Sequence, residues 1–340
     1  MARRPSSFRK PAARRTEAAS APRVDLYQRI TDTIIAQLEE GRVPWVQPWA
    51  SLPGTASVAM PRNGATNRAY SGINVMLLWS SGMASGYPTQ RWLTFRQALG
   101  LGGCVRRGEK GIPVVYADRF TPDRERERAS QAGEEARSIA FLKQYMVFNC
   151  AQCDGLPGDL YVPPPPPRED LIEPRFRALM EASGLTIHVG GQMAFYRPAD
   201  DVIVLPPPQA FHEPVNFHRT AAHEMSHATG HPSRLARDLT GRYGSEGYAR
   251  EELVAEISAA FVCASLGIVP TVRHADYIAS WLEVLRSDPR AIVQAAALAS
   301  RSADWLLGHL PPELAPDGAG GEGDEDGPED AAPAIEREAA

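Results

Sequence analysis

The chain has 340 residues, of which 43% are hydrophobic, so it contains enough apolar material for the cores of two ordinary domains. Its formal net charge of −5 argues against a generally basic nucleic-acid-binding protein. It has no run of about 18 apolar residues that would predict a membrane span, and its N-terminal stretch MARRPSSFRKPAARR lacks the apolar segment of a signal peptide. We therefore expect a cytoplasmic protein that makes no membrane contact.

The two ends of the chain carry opposite charge. Residues 1–23 contain seven Arg or Lys and one acid, whereas residues 313–340 contain ten acids and one base. Segments dominated by one sign of charge are typical of solvated tails. We predict a disordered basic tail over 1–23 and a disordered acidic tail over 311–340.

The first half of the chain mixes helical and strand patterns. Residues 24–41 repeat apolar side chains every four positions and end at a glycine, which predicts an amphipathic helix. The segment WLTFRQALGLGG is predicted to be a short helix ended by glycines. The segments GIPVVYADRF and IAFLKQYMVFN are rich in β-branched and aromatic residues and predict two strands. The charged segment between them, Thr121 to Arg137, is predicted to be a loop.

Four cysteines are present, and they form no disulfide framework, which fits a reducing compartment. Cys150 and Cys153 have the spacing of a metal knuckle, but a zinc ribbon needs a second such pair. We interpret them as ordinary thiols.

Five consecutive prolines, Pro163 to Pro167, mark a change of organisation because polyproline favours an extended, semi-rigid spacer. We predict an N-terminal domain over 24–162, a linker over 163–168 and a C-terminal domain over 169–310.

The second half begins with a predicted helix near Glu169–Ser183 and a hairpin that turns at RPADD. Four further helices are predicted over Val215–Thr229, Arg250–Leu266, Ala275–Arg286 and Arg290–Leu307. A small sheet followed by a set of helices indicates an α+β fold, as in the first half.

The segment TAAHEMSHATGH contains a metal-binding pattern. His223 and His227 are four residues apart, so a helix places both on one face. Glu224 follows the first histidine, where it can deprotonate a water held by the metal. The spacing predicts a catalytic Zn²⁺ site with Glu224 as the general base.

The third ligand has two candidate sources. His231 follows the glycine that should end the helix, and the extended pattern with a third histidine would need it at Ser233, so His231 is rejected. Glu252 and Glu256 are four apart and border the apolar stripe of a later helix. We assign Glu252 to the metal and Glu256 to a hydrogen bond that orients a ligand histidine. Glu251 points about 100° away from Glu252 and is not expected to join them.

These motifs carry two resemblances. The histidines and the Glu252-x-x-x-Glu256 helix resemble the gluzincin metallopeptidases, in which the first acid of the later helix is the third ligand. Over about residues 24–308 the chain resembles the ArdC-type antirestriction proteins, which join an N-terminal single-stranded-DNA-binding domain to a C-terminal zincin-like metallopeptidase domain. This second resemblance depends on segments in the same order, among them VDLYQRITDTIIAQLEEGRVPWVQPW, NRAYSGINVMLLW, ADDVIVLPPPQAF and YAREELVAEISAAF.

The ArdC resemblance implies single-stranded DNA as a partner. Binding a single strand needs cations for the phosphates and aromatic faces for the bases. Arg106, Arg107 and Lys110 lie in a glycine-rich turn and are the candidate phosphate contacts. The candidate stacking residues are Trp45 and Trp49, with Tyr70, Trp79 and Trp92 as further aromatic faces. Core packing is the alternative role for each aromatic.

The resemblance implies that the protein protects transferred DNA from host restriction, as expected of a protein carried by a conjugative plasmid. Glu224 is no ligand, so its presence favours a working peptidase that acts on a protein substrate. The alternatives are a DNA-binding protector whose metal is structural or vestigial, and a metal-dependent nuclease. Oxyanion support is assigned to no single residue, the candidates being His231, Tyr243 and Tyr248.

Overall fold

In the computed structural model of the protein, residues 25–46, 59–121, 123–132, 139–163, 169–269 and 277–316 are described. The predicted basic tail and Trp49 lie outside these residues, as do most of the proline linker and most of the acidic tail. The remaining predicted segments can be compared with the structure.

The N-terminal half opens with helix α1, Leu26–Glu39, where the sequence predicts it. The side chain of Asp25 accepts a hydrogen bond from the backbone N–H of Tyr27 and caps the helix, and its apolar stripe is buried. The other elements of this half are β1 (Arg62–Asn63), α2 (Ile73–Ser85), β2 (Arg91–Thr94), α3 (Phe95–Gly100), β3 (Cys104–Val105), β4 (Ile112–Phe120), α4 (Asp123–Ala132), β5 (Ile139–Asn149) and β6 (Cys153–Asp154).

A four-stranded sheet with the order β1-β2-β5-β4 forms the centre of this half. The two strands predicted from GIPVVYADRF and IAFLKQYMVFN are β4 and β5, which pair antiparallel along their length. The first part of WLTFRQALGLGG is strand β2 and not helix, because Thr94 and Gln97 form a capping box that starts α3 only at Phe95.

The predicted loop from Thr121 to Arg137 is wrong over most of its length, since Asp123–Ala132 form helix α4. The segment has no apolar periodicity, so the sequence pattern did not indicate a helix there. Its Arg, Glu and Ala residues have high helix propensity, and Arg128 donates to Glu125 one turn away at 2.9 Å.

The C-terminal half has a three-stranded sheet in the order β7-β9-β8, and strands β8 and β9 form the predicted hairpin. Its elements are α5 (Glu169–Ala182), β7 (Thr186–Val189), β8 (Phe195–Arg197), β9 (Val202–Leu205), α6 (Val215–Ala228), α7 (Glu246–Leu266), α8 (Ile278–Ser287) and α9 (Ala291–Leu307). Helix α7 begins earlier than predicted, because Ser245 caps it through the backbone N–H of Tyr248. Mixed helices and sheets in both halves agree with the predicted α+β class.

The two halves share one continuous hydrophobic core. Trp45 packs edge-on against Trp281 with ring centroids 5.4 Å apart, and Trp79 packs against Phe261 at 5.8 Å. A hydrogen bond of 2.6 Å from Thr31 Oγ1 to the carbonyl of Pro289 also links the halves. Packing as well as chain connectivity therefore holds them together, and the domain boundaries stay a prediction.

A smaller apolar cluster contains Cys150 and Cys153, both buried as thiols between β2, α3 and the segment after β5. No helix among the described residues combines the length and apolar character needed to cross a bilayer.

Candidate metal centre and basic surface

Helix α6 carries the predicted metal-binding pattern. His223 and Glu224 are only 3% and 6% exposed, and His227 lies one turn further along the same helix. The Nε2 atoms of the two histidines are 3.1 Å apart, with the ring planes nearly perpendicular. Both nitrogens thus point toward the same position.

Helix α7 packs against α6 and brings Glu252 to that position. Oε2 of Glu252 lies 3.5 Å from Nε2 of His223, and Oε1 lies 3.5 Å from Nε2 of His227. Two ligands about 2.1 Å from one tetrahedral zinc are about 3.4 Å apart. One potential ligand atom from each of these three side chains lies within 4.8 Å of the other two, a spacing that fits a small divalent cation.

Each histidine has a second carboxylate at its other ring nitrogen. Oε1 of Glu256 lies 3.7 Å from Nδ1 of His223, in the place expected for an orienting acid. Oε1 of Glu251 lies 3.2 Å from Nδ1 of His227. The expectation that Glu251 would stay apart from the site is therefore wrong. Glu251 does point away from Glu252 on α7, but it meets the far side of the His227 ring, which a view of one helix cannot show.

The electrostatics of the site favour positive charge between the histidines. Burial alone would lower the pKa of His227, but its contacts with Glu251 and Glu252 outweigh burial and raise the pKa to about 10. Burial would raise the pKa of Glu252, yet the two histidines hold it well below its usual range. A buried pocket with this preference is suited to a cation.

Glu224 differs from the other acids of the site. Among the described residues its carboxylate takes part in no hydrogen bond or ion pair, although the residue is 6% exposed. A buried carboxylate that held the fold would be paired. Glu224 is therefore available for chemistry beside the two histidines.

The three candidates for oxyanion support are placed differently. The hydroxyl of Tyr248 lies 3.0 Å from that of Tyr277, and burial together with hydrogen bonds to Tyr277 and Glu252 raises its pKa. Tyr243 packs on Tyr248 but is 81% exposed. Nδ1 of His231 lies 2.8 Å from the Ser233 hydroxyl and 3.9 Å from Oδ2 of Asp201. Tyr277 was missed, because no local pattern links it to a site 25 residues earlier in the chain.

Four of the aromatic side chains predicted to stack on DNA bases lie within the described residues, and they do not offer faces to solvent. Trp45, Trp79 and Trp92 are fully buried, and Tyr70 is 6% exposed. A stacked base needs an open ring face, so these residues are core residues in this structure. The sequence pattern did not distinguish the two roles because tryptophan serves both.

The predicted glycine-rich turn is present, with Gly102 and Gly108 at positive φ. Arg107 and Lys110 are exposed. Arg106 is committed to the fold, since its guanidinium donates to Glu109 at 2.8 Å and to the carbonyl of Ala151 at 2.7 Å. All three predicted cations are thus exposed, and Arg106 differs in being held by these hydrogen bonds.

A second basic feature was missed. Residues 41–108 contain seven arginines and no acidic residue. Arg62 and Arg91 are direct neighbours across the β1–β2 pair. Arg62 donates to the backbone carbonyl of Asn67 at 2.8 Å, and Arg91 donates to the side-chain oxygen of Asn67 at 3.2 Å. The absence of acids over these 68 residues is a sequence signal that could have drawn attention to the arginine pair.

Two protein-family models match the chain in its two halves. The N-terminal domain of anti-restriction factor ArdC matches residues 24–148, and a zincin-like metallopeptidase model matches residues 174–298. The order of the two matches agrees with the two-domain architecture predicted from the motifs.

The chain is similar over most of its length to two curated relatives. The chain is 41% identical over 290 residues to the uncharacterized protein y4eC of Sinorhizobium fredii, covering 83% of this chain and 91% of that protein. It is 38% identical over 301 residues to a DNA primase TraC of Escherichia coli, covering 84% of this chain and only 20% of the primase. The chain thus corresponds to one section of that larger protein.

Solved structures of the antirestriction protein ArdC from plasmid R388 are similar to this one. The metal-free form matches with a TM-score of 0.70 at 39% identity, covering 84% of this chain and 97% of ArdC. The Mn(II)-bound form matches with a TM-score of 0.69 at 40% identity, covering 84% and 98%. With this identity across both halves and a zincin-like domain that implies a metal, the chain belongs to the ArdC antirestriction family.

Proposed function

We propose that this protein binds single-stranded DNA, protects transferred DNA from host restriction and carries a working zinc metallopeptidase centre. The observation that carries the peptidase part is the combination of three converging ligands with a buried, uncommitted Glu224 beside them. A cytoplasmic location fits this role.

His223, His227 and Glu252 are the proposed ligands of the cation. Two imidazoles and one carboxylate form a donor set used by catalytic Zn²⁺, and Mn²⁺ accepts the same atoms. When bound, the cation supplies Lewis acidity and lowers the pKa of water at an open coordination position.

The protein's own residues account for the remaining steps. Glu224 accepts the proton of the attacking water and later donates it to the leaving amine of a peptide bond. Glu251 and Glu256 hold the two histidines in orientation from outside the ligand set. Tyr248 is placed beside Glu252, where its hydroxyl can donate to negative charge that develops near the cation.

The DNA part of the proposal is supported by the acid-free arginine segment and by the family. Arg62 and Arg91 lie side by side across the β1–β2 pair, and Arg107 and Lys110 are exposed in the turn. Clustered cations of this kind attract the phosphates of a strand in a salt-dependent way. Tyr116 and Tyr145, half-buried and in edge contact at 5.4 Å on β4 and β5, are candidate aromatic contacts.

The deep burial of the ligands favours one alternative, a DNA-binding protector whose metal only stabilises the fold. The deciding experiment compares the wild type with Glu224→Ala for zinc content, single-strand binding and degradation of candidate protein substrates. We expect the variant to keep zinc and DNA binding and to lose degradation.

If the wild type degrades no protein and both forms shield DNA equally from a restriction enzyme, the peptidase proposal is wrong and binding alone explains the protection. Cleavage of a labelled single strand by the wild type only would instead identify a nuclease.

A further inference from the structure

The chain that follows α6 turns back and buries an arginine beside the metal centre. The side chain of Arg237 is only 4% exposed. Its Nε donates to Oε2 of Glu251 at 3.0 Å, and its Nη2 donates to Oε1 at 2.8 Å. This bidentate, charge-assisted pair fixes both the position and the plane of the carboxylate.

The close approach of Arg237 explains why a glycine occupies position 230. A Cβ at Gly230 would lie 3.0 Å from Nη2 of Arg237 and 2.9 Å from Cδ2 of Leu239, so a larger residue would collide with the returning loop. The backbone N–H of Arg237 also donates to the carbonyl of Gly230 at 2.9 Å. In the extended metalloprotease pattern the glycine at this position precedes a third histidine ligand, but here Ser233 occupies that place. Gly230 instead leaves space for the guanidinium of Arg237.

The other donors of Arg237 are engaged as well. Nη1 donates to the hydroxyl of Thr229 at 2.7 Å, and Nη2 donates to the carbonyl of Ser226 at 2.7 Å. The Thr229 hydroxyl lies 2.8 Å from that of Ser302 on α9, which lies 2.8 Å from that of Ser258 on α7. The guanidinium is thus anchored directly to α6 and α7 and, through Thr229, to α9, and has little freedom to move.

A carboxylate held by a guanidinium is ionised and can only accept hydrogen bonds. Glu251, fixed by the guanidinium, lies 3.2 Å from Nδ1 of His227, and this contact holds the ring with its Nε2 facing His223 and Glu252. Arg237 also neutralises an acid that directly precedes the ligand Glu252 in the chain. Both effects favour one orientation of the His227 ring.

We propose that Arg237 is a positioning residue that acts through Glu251 to orient His227 for cation binding. This inference depends on the proposed ligand role of His223, His227 and Glu252. Arg237 would thus support the cation indirectly, by holding an acid that orients a ligand. In the chain it lies between helices α6 and α7, which carry the proposed ligands.

The test is a double-mutant cycle on the full chain with Arg237→Gln, Glu251→Gln and both together. Zn²⁺ affinity is measured by competition with a chelator, and the unfolding temperature of the metal-free protein is measured separately. Arg237→Gln should weaken Zn²⁺ binding by about 10- to 100-fold. In the Glu251→Gln background the same change should cause no further loss, because Arg237 then has no carboxylate to act through.

The double variant also guards against a folding failure. It contains no unpaired buried charge, so it should fold even if Arg237→Gln alone does not. If the double variant binds Zn²⁺ about 10- to 100-fold more weakly than Glu251→Gln, Arg237 acts independently and the inference is overturned. A lower unfolding temperature with unchanged Zn²⁺ affinity would likewise overturn it, since that outcome describes a purely structural role.

A spectroscopic signature provides a further readout. In ¹⁵N-histidine-labelled, Zn²⁺-loaded protein, the wild type should show His227 protonated at Nδ1, and Arg237→Gln should broaden or shift that signal. Arg234→Gln is the matched control, because Arg234 lies in the same loop but pairs with Asp201. If the wild type binds no divalent cation, the proposed function fails, whereas cation binding that is insensitive to Arg237 refutes this inference alone.

Discussion

The rings of Trp45 and Trp281 meet edge-to-face at 5.4 Å, and each residue is fully buried although they are separated by most of the chain. Trp281 in turn stacks on Tyr277, whose hydroxyl contacts that of Tyr248 beside the metal centre. The N-terminal half therefore packs directly against the elements that support the site.

Because the core is shared, Trp45→Ala is expected to destabilise both halves. The loss of a buried tryptophan should lower the free energy of unfolding by about 3–5 kcal/mol. Chemical denaturation followed by far-UV circular dichroism and by tryptophan fluorescence should give one coincident transition. Tyr243→Ala, at an 81% exposed aromatic, is the control that should change little. Two separate transitions in the wild type would show that the halves unfold independently.

Cation binding should stabilise the fold through the three proposed ligands. A ligand at 100 times its Kd contributes about 2.7 kcal/mol, which raises the unfolding temperature by about 4 °C in a protein of this size. Glu252→Gln should abolish the increase that Zn²⁺ or Mn²⁺ causes in the wild type, as measured by thermal denaturation with and without chelator. Glu246→Gln, at an exposed position on the same helix, should retain it. An equal increase in both variants would exclude Glu252 as a ligand.

The arginine pair on β1 and β2 should contribute to single-strand binding. If Arg62 and Arg91 each contact a phosphate, Arg62→Ala combined with Arg91→Ala should reduce the salt slope of binding by about 0.7 per lost contact. The same measurement on Arg107→Ala with Lys110→Ala tests the predicted turn. Arg177→Ala, on the exposed surface of α5, is the control. A salt slope unchanged by the β1–β2 pair would place the DNA elsewhere.

The hairpin of β8 and β9 is tied to the end of α6 by Asp201 and Arg234, and this tie should depend on pH. The hydrogen bonds from Arg234 hold the pKa of Asp201 below its usual range, and the bond from Tyr196 adds to this. A depressed carboxyl pKa contributes stability that is present above the unfolded value of about 3.9 and is lost as the pH falls through the folded value.

Asp201→Asn should therefore lower the unfolding temperature at neutral pH, and the difference from the wild type should shrink in acid below about pH 4. Asparagine tolerates the positive φ of this position, so the backbone is kept. Asp200→Asn, whose carboxylate is more exposed and pairs with Arg197, should show a smaller effect. A difference that stays constant from pH 7 to pH 3 would exclude the ion pair as its cause.

Features set by local spacing could be predicted from the sequence. His223, Glu224 and His227 follow helical geometry, because four residues make slightly more than one turn. Helix α1 and strands β4 and β5 could be predicted for the same reason, from an apolar repeat and from β-branched segments. In each case a side chain's direction depends on its position within its own element. The pattern of two glutamates beside an apolar stripe was enough to place Glu252 and Glu256 near the histidines.

Only the tertiary structure decided which residues surround those motifs. Glu251 reaches His227 because α7 crosses α6 at that point, and Arg237 reaches Glu251 because its loop turns back past Gly230. Trp45 is a core residue because α8 covers it. These contacts join elements far apart in the chain, and their distances depend on how helices pack and loops close, which no local periodicity encodes.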